Sequence, residues 1–142
     1  LPDNPNRVLL INPPEGTLGR LTSAPLGLMY IAAVLQENGV SVRILDAFLE
    51  GWGSIFPKIE EFQPNIIGIT CPTYARVQAI KVAEEIKKKY PGILIIMGGN
   101  HPTLMGRQLL ENYAFIDLVE WGKESIFFWI FAKGWPMRIS PA

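Results

Sequence analysis

Three stretches of this chain are apolar almost without interruption: Val8-Leu9-Leu10-Ile11, Ile66-Ile67-Gly68-Ile69 and Ile93-Leu94-Ile95-Ile96-Met97. A strand can be apolar on both sides only when both of its faces are covered, so these read as central strands between layers of helix. Two further runs, Ser41 to Asp46 and Ile116 to Glu120, alternate polar and apolar residues and belong at half-exposed edges. Helical patterns fill the intervals between the five runs.

The strand order of a known doubly wound fold satisfies this distribution. Taken in chain order, runs one, three and four must be internal and runs two and five external. The predicted fold is therefore a flavodoxin-like (Rossmann-like) doubly wound α/β domain, with a five-stranded parallel sheet in the order 2-1-3-4-5. Right-handed crossovers place helices on both faces.

A first helix is expected from about Pro25 to Asn38, with Leu28, Ile31, Ala32 and Leu35 inward and Gly39 as its stop. A second begins near Ser54, buries Ile55, Ile59 and Phe62, and ends before Pro64. A third runs from about Thr73 to Tyr90, with Val77, Ile80, Ala83 and Ile86 inward and Glu84–Lys88 and Glu85–Lys89 as outer pairs. A fourth runs from about Thr103 to Asn112, and a last, aromatic one starts near Ser125 with Phe127, Phe128, Trp129 and Phe131. Those rings either close the core or form a face on which something else packs.

The 142 residues fit one domain, expected over 7–132, with a lead-in at 1–6 and a tail or linker at 133–142. Lys+Arg and Asp+Glu both number 13, which argues against a nucleic-acid-binding surface. Cys71 is the sole cysteine, so neither a disulfide framework nor a cysteine-rich metal site can be built from this chain alone. A reducing, cytoplasmic setting is the expectation. The longest uninterrupted apolar candidate, Ile126 to Ala132, falls far short of the roughly 20 residues needed to span a bilayer. The chain opens without Met or the marks of a signal peptide, as a processed protein or a piece of a longer one would.

In a doubly wound sheet, ligands sit outside the carboxyl ends of the strands. The segments expected there are Asn12-Pro13-Pro14-Glu15-Gly16, Thr70-Cys71-Pro72-Thr73, Gly98-Gly99-Asn100-His101-Pro102-Thr103 and Glu120-Trp121-Gly122. They are rich in small residues and hydroxyls and poor in titratable groups, which suits holding a large organic ligand better than acid–base chemistry. Gly98 and Gly99 are expected to let a ligand approach bare backbone. On that reading Gly99→Phe would abolish binding without unfolding the chain.

The same segments resemble a known family. Val8-Leu9-Leu10-Ile11-Asn12-Pro13-Pro14, Pro25-Leu26-Gly27-Leu28, Ile44-Leu45-Asp46-Ala47, Pro64-Asn65-Ile66-Ile67-Gly68-Ile69-Thr70, Gly98-Gly99-Asn100-His101-Pro102-Thr103 and Asp117-Leu118-Val119-Glu120-Trp121-Gly122-Lys123-Glu124-Ser125 follow one another in the order and spacing of one domain type. It is the N-terminal cobalamin (vitamin B12)-binding domain of cobalamin-dependent radical SAM enzymes, a group that includes anaerobic magnesium-protoporphyrin ester cyclase-like proteins and many methyltransferases. The resemblance spans about residues 7–132. The family's last motif usually reads closer to Gly-Glu-Gly-Glu, where this chain has Gly122-Lys123-Glu124-Ser125.

What the resemblance implies can be set out by residue. The cofactor-binding candidates are Asn12, Pro13, Pro14, Thr70, Cys71, Thr73, Gly98, Gly99, His101, Pro102, Thr103, Glu120 and Gly122; no catalytic or metal-ligating residue is expected. Corrinoid domains that ligate cobalt through histidine carry Asp-x-His-x-x-Gly after strand one, whereas Asn12 to Gly16 holds no His. The implied cofactor is base-off cobalamin without a histidine ligand, its nucleotide tail beside Thr70, Thr73 and Gly98-Gly99. The radical SAM catalytic domain, with S-adenosylmethionine and a three-cysteine iron–sulfur cluster, would lie C-terminal to this segment. Methyl transfer or ring formation would be its reaction.

His101, the only histidine, is expected to hydrogen-bond ligand or loop rather than cobalt, because a lone His without ligand-spaced partners is weak metal evidence. Cys71 reads as a small buried hydrophobe or a ligand contact, and Thr70 and Thr73 as ligand contacts or helix caps. Asp46 reads as a turn or helix-entry residue, and Glu120 as a partner of the ligand or of its own loop. Other ligands of this fold are disfavoured by the first loop: Pro13-Pro14 lacks the N–H donors of a flavin phosphate cradle. No Gly-x-Gly-x-x-Gly follows strand one, and neither the acidic cluster nor the phosphoacceptor Asp of a receiver is present. The rival reading is the same fold without cobalamin, serving as a structural or interaction domain.

Overall fold

A computed structural model describes residues 5–14 and 24–120. The elements are β1 (Arg7–Asn12), α1 (Leu26–Glu37), β2 (Ser41–Asp46), α2 (Ala47–Glu50), α3 (Ile55–Phe62), β3 (Ile66–Thr70), α4 (Arg76–Lys89), β4 (Leu94–Gly98), α5 (Asn100–Asn112) and β5 (Leu118–Val119). Short 3₁₀ turns, Trp52–Ser54 and Thr73–Ala75, precede α3 and α4. The strands form one parallel sheet in the order β2-β1-β3-β4-β5, the order expected from the apolar runs.

The alternation of side chains along each strand divides the core in two. Leu9, Ile11, Ile67, Ile69, Ile95 and Met97 meet Ile55 and Ile59 of α3, Ala79, Val82, Ala83 and Ile86 of α4, and Leu109 of α5. Val8, Leu10, Ile66 and Ile96 point the other way and cluster with Leu28 and Leu35 of α1. β2 alternates exposed and half-buried residues along most of its length, as an edge strand with one open face must. Gly39 ends α1 at φ +79. Among the described residues no helix is long and apolar enough to cross a membrane.

Four boundaries or faces differ from the expectations, each for a local reason. α2 folds directly after β2, marked in the sequence only by Asp46 as a turn or helix-entry residue; four residues are too few to show a helical period. α4 opens through a 3₁₀ turn whose last residue, Ala75, lies outside the helical region at φ −108, ψ 12. Ala83 and Ile86 face inward and Ile80 packs on the core as expected, Ala79 and Val82 join them, and Val77, next to the tighter turn, is 64% exposed. α5 starts at Asn100 rather than near Thr103, because the Thr103 amide and hydroxyl both donate to the Gly99 carbonyl (3.2 and 2.8 Å). β5 is cut to two residues, although the Asp117 and Glu120 amides still donate to the Ile95 and Met97 carbonyls.

On the outer surface, Lys88 pairs with Glu84 (3.5 Å) and with Glu85 (3.3 Å), while Lys89 reaches across to Glu60 of α3 (4.0 Å). The expected Glu85–Lys89 pair is thereby replaced by a contact between helices, which no period within one helix encodes. The aromatic segment from Ser125, with Phe127, Phe128, Trp129 and Phe131, lies outside the described residues, as do Glu15, Gly16, Trp121 and Gly122.

Candidate functional site

The carboxyl ends of β1, β3, β4 and β5 bring most of the predicted residues to one edge. At β1, Asn12 Nδ2 donates to Asp46 Oδ1 of β2 (2.9 Å), which locks the two strand ends together; Pro13 and Pro14 behind it are buried. Asp46 is thus a brace for Asn12 as well as the residue that leads into α2.

The loops after β3 and β4 are stitched through one residue. The Cys71 amide donates to the Gly98 carbonyl (2.7 Å), and the Cys71 carbonyl accepts from the His101 amide (3.1 Å). This close approach explains Gly99. At φ +109 and ψ −166 it occupies a region essentially closed to side chains, and a Cβ there would lie 3.2 Å from the Cys71 nitrogen and 3.3 Å from Thr70 Oγ1. A Cβ on Gly98 would meet Glu120 Oε2 at 2.9 Å. The open sides of both glycines therefore face this chain's own atoms. The expectation that Gly99→Phe would leave the fold intact is corrected on that ground: position 99 holds the two loops together.

Thr70, Cys71, Gly98, Gly99, His101, Thr103 and Glu120 are brought together around this junction, with Pro102 buried in the first turn of α5. Thr73 stands slightly apart, exposed at the start of its 3₁₀ turn, with no side-chain cap hydrogen bond at the entry to that turn or to α4. Gly122 lies outside the described residues. One residue the motif reading passed over is Arg76, the first residue of α4, whose Nη1 donates to the Thr73 carbonyl (3.0 Å). Its signal in the sequence is only that it is the first charge after β3.

Two titratable groups of the junction, Cys71 and His101, are neutral at pH 7, while Glu120 brings a carboxylate beside Gly98. Burial pushes the Cys71 thiol up to about 12 against a smaller opposing pull from Arg76, so it stays protonated at neutral pH. Burial, helped by Arg76, holds His101 below its ordinary value of 6.5, so the imidazole is neutral at pH 7. Its linkage sign is definite: the stability it contributes is present above pH 6.5 and is lost as pH falls through the depressed folded value. An NMR titration of the His101 ring is expected to give a midpoint below 6.5. In Arg76→Gln that midpoint moves upward without reaching 6.5, because burial is the larger cause. A midpoint at or above 6.5 in the native chain would contradict the buried setting.

Among the described residues no group of three or more His, Cys, Asp and Glu is placed to hold a metal ion. Among the described residues, large apolar side chains stay exposed at Leu26, Met29 and Tyr30 early in α1, Leu49 and Trp52 after β2, Tyr74 and Val77 after β3, and Leu104 and Leu110 on α5. Neutral hydrogen-bonding groups framed by apolar side chains suit a broad organic ligand, with apolar surface and several amides or hydroxyls, better than proton transfer.

Comparison with known proteins agrees with that chemistry. Residues 20–126 match the model of the B12 binding domain. An uncharacterised methyltransferase of Pyrococcus horikoshii is 33% identical over 128 residues, covering 86% of this chain and 28% of the relative. The anaerobic magnesium-protoporphyrin IX monomethyl ester cyclase of Cereibacter sphaeroides is 30% identical over 105 residues, covering 70% of this chain and 17% of the relative. Among solved structures, a radical S-adenosylmethionine methyltransferase from Kitasatospora setae shares the fold with a TM-score of 0.66 at 20% identity, over 77% of this chain and 22% of that one. The chain thus spans less than a third of the length of these proteins.

Proposed function

The chain belongs to the B12 binding domain family, and from that premise we propose that its carboxyl-end edge holds a cobalamin for a catalytic domain carried elsewhere in a longer protein. The observation that carries the reading is the junction of Cys71, Gly98 and His101, tied by backbone hydrogen bonds and neutral at pH 7. A corrinoid is a wide ring with many amide arms, and this edge offers neutral donors, acceptors and apolar contact to match it. Thr70 and Thr73 would contribute hydroxyls, and Glu120 a carboxylate acceptor for amide or hydroxyl donors.

The cobalamin would be bound base-off and without a histidine ligand. The β1 loop carries no His, and His101 is tied by its amide to the β3 loop, beside the glycines where the nucleotide tail is proposed to run. A cobalamin held by these residues would supply a methyl-carrying cobalt centre to the catalytic domain. S-adenosylmethionine and an iron–sulfur cluster would belong to a radical SAM domain C-terminal to this segment, since one cysteine cannot bind the cluster. Methyl transfer or ring formation is the proposed overall chemistry, and the cytoplasm the proposed setting.

Titration with hydroxocobalamin, desalting and an absorbance spectrum test the reading. Roughly stoichiometric retention with a base-off spectrum is expected, and His101→Ala is expected to leave that spectrum unchanged. The rival, a structural domain of the same fold, draws on the glycines' contacts with their own chain. Failure to retain any corrinoid, with the fold intact by circular dichroism, would favour it.

A further inference from the structure

Arg76 stands out when the charges of the domain are paired off. Arg107 meets Glu111, Lys58 meets Glu61, Lys87 meets Asp117, and Lys88 and Lys89 meet carboxylates on α4 and α3. Arg7 and Arg43 lie over the Phe62 ring, and Lys81 lies near the Trp52 ring. Among the described residues Arg76 is the one Lys or Arg with neither a carboxylate nor an aromatic ring for a partner; it has only the Thr73 carbonyl. Of the described cations beyond a strand's carboxyl end, it lies nearest in sequence to that end, at the start of α4 after β3. The side chain is exposed, yet its charge is felt at both Cys71 and His101, the two residues that close the Gly98–Gly99 junction.

We propose that Arg76 pairs with the phosphodiester of the ligand's nucleotide tail, and that the domain thereby selects corrinoids that carry the tail over those that lack it. The inference rests on the cobalamin reading and deepens it. A corrin ring with its amide arms brings no anion to this edge, whereas the tail brings one. A guanidinium suits a phosphate because its planar fork can donate two parallel N–H groups to two oxygens. The single bond to Thr73 holds one end of that fork and leaves further donors for the ligand. Because the pair would be partly solvated, its strength falls as salt rises.

The test compares cobalamin with cobinamide, a corrinoid without phosphodiester-linked nucleotide, against the native chain, Arg76→Gln and Arg76→Lys at low and high salt. Taking the ratio between native and variant cancels the cost of freeing the nucleotide base from cobalt. Arg76→Gln is expected to weaken cobalamin binding about tenfold at low salt while cobinamide binding stays within about twofold. Arg76→Lys falls between, and high salt shrinks the cobalamin loss. Arg76→Gln is expected to melt with the native chain, since no ion pair is broken. Equal losses for the two ligands, or none, would overturn the role of Arg76 and leave the cobalamin reading standing. A native chain that binds neither corrinoid would overturn both.

Discussion

Gly99→Ala is expected to destabilise the domain by about 2–4 kcal/mol and to lower its melting temperature by roughly 10 °C, a large effect for one methyl group. Two terms add. The backbone at φ +109, ψ −166 is one that residues with a Cβ occupy only under strain. The new methyl would also press on the Cys71 nitrogen at 3.2 Å and Thr70 Oγ1 at 3.3 Å, and backbone cannot give way cheaply. Gly98→Ala is the control. Its Cβ meets a Glu120 carboxylate oxygen, the far end of a flexible side chain, so a loss of under about 1 kcal/mol is expected. Adding Glu120→Ala should recover that loss. Urea unfolding of the three variants decides the matter; equal effects at positions 98 and 99 would refute the account. A failure of Gly99→Ala to bind cobalamin would then report a broken loop junction, not a lost ligand contact.

Asp117→Ala is expected to cost about 2–3 kcal/mol. Oδ2 of Asp117 accepts from Lys87 Nζ (2.6 Å) and from the Ile95 amide (2.7 Å), and Lys87 Nζ also donates to the Ile93 carbonyl (2.7 Å). β5 pairs with β4 only at Leu118 and Val119, so the carboxylate stands in for the missing strand partner of Ile95. Truncation leaves that amide unpaired beside a buried core residue and takes from Lys87 its counter-charge. The side chains are about one-fifth exposed, which keeps the ion-pair share below that of a fully buried pair. Asp117→Asn should cost less than half as much, because the amide oxygen still accepts from Ile95. Lys87→Met isolates the charge contribution. If Asn and Ala proved equally harmful, the hydrogen bond to Ile95 would not be the main component.

Much of the architecture was legible because it depends on which strands are covered. Apolar continuity at Val8–Ile11, Ile66–Ile69 and Ile93–Met97, against alternation at Ser41–Asp46, is a direct record of burial on two faces or one. The loops that meet at the carboxyl edge follow from the same reasoning, since parallel strands deliver all their carboxyl ends to one side. The inward face of α4 was legible at Ile80, Ala83 and Ile86 but not at Val77, which follows directly on the 3₁₀ turn and is exposed.

The sequence by itself determined which strands are internal, which are edges and which loops reach the carboxyl edge, because each follows from local pattern. Only the tertiary structure decided what those residues do there. Gly99 looked like room for a ligand, yet its bare side meets the Cys71 backbone and the Thr70 hydroxyl at the end of β3, nearly thirty residues earlier. Asp117 looked like one polar residue of an edge strand and turned out to hold α4 and β4 together. Arg76 looked like an ordinary surface cation until the other described Lys and Arg had been matched with carboxylates or rings. Close approach, hydrogen-bond partners and unpaired charge are relations between distant segments, so they exist only once the chain has folded.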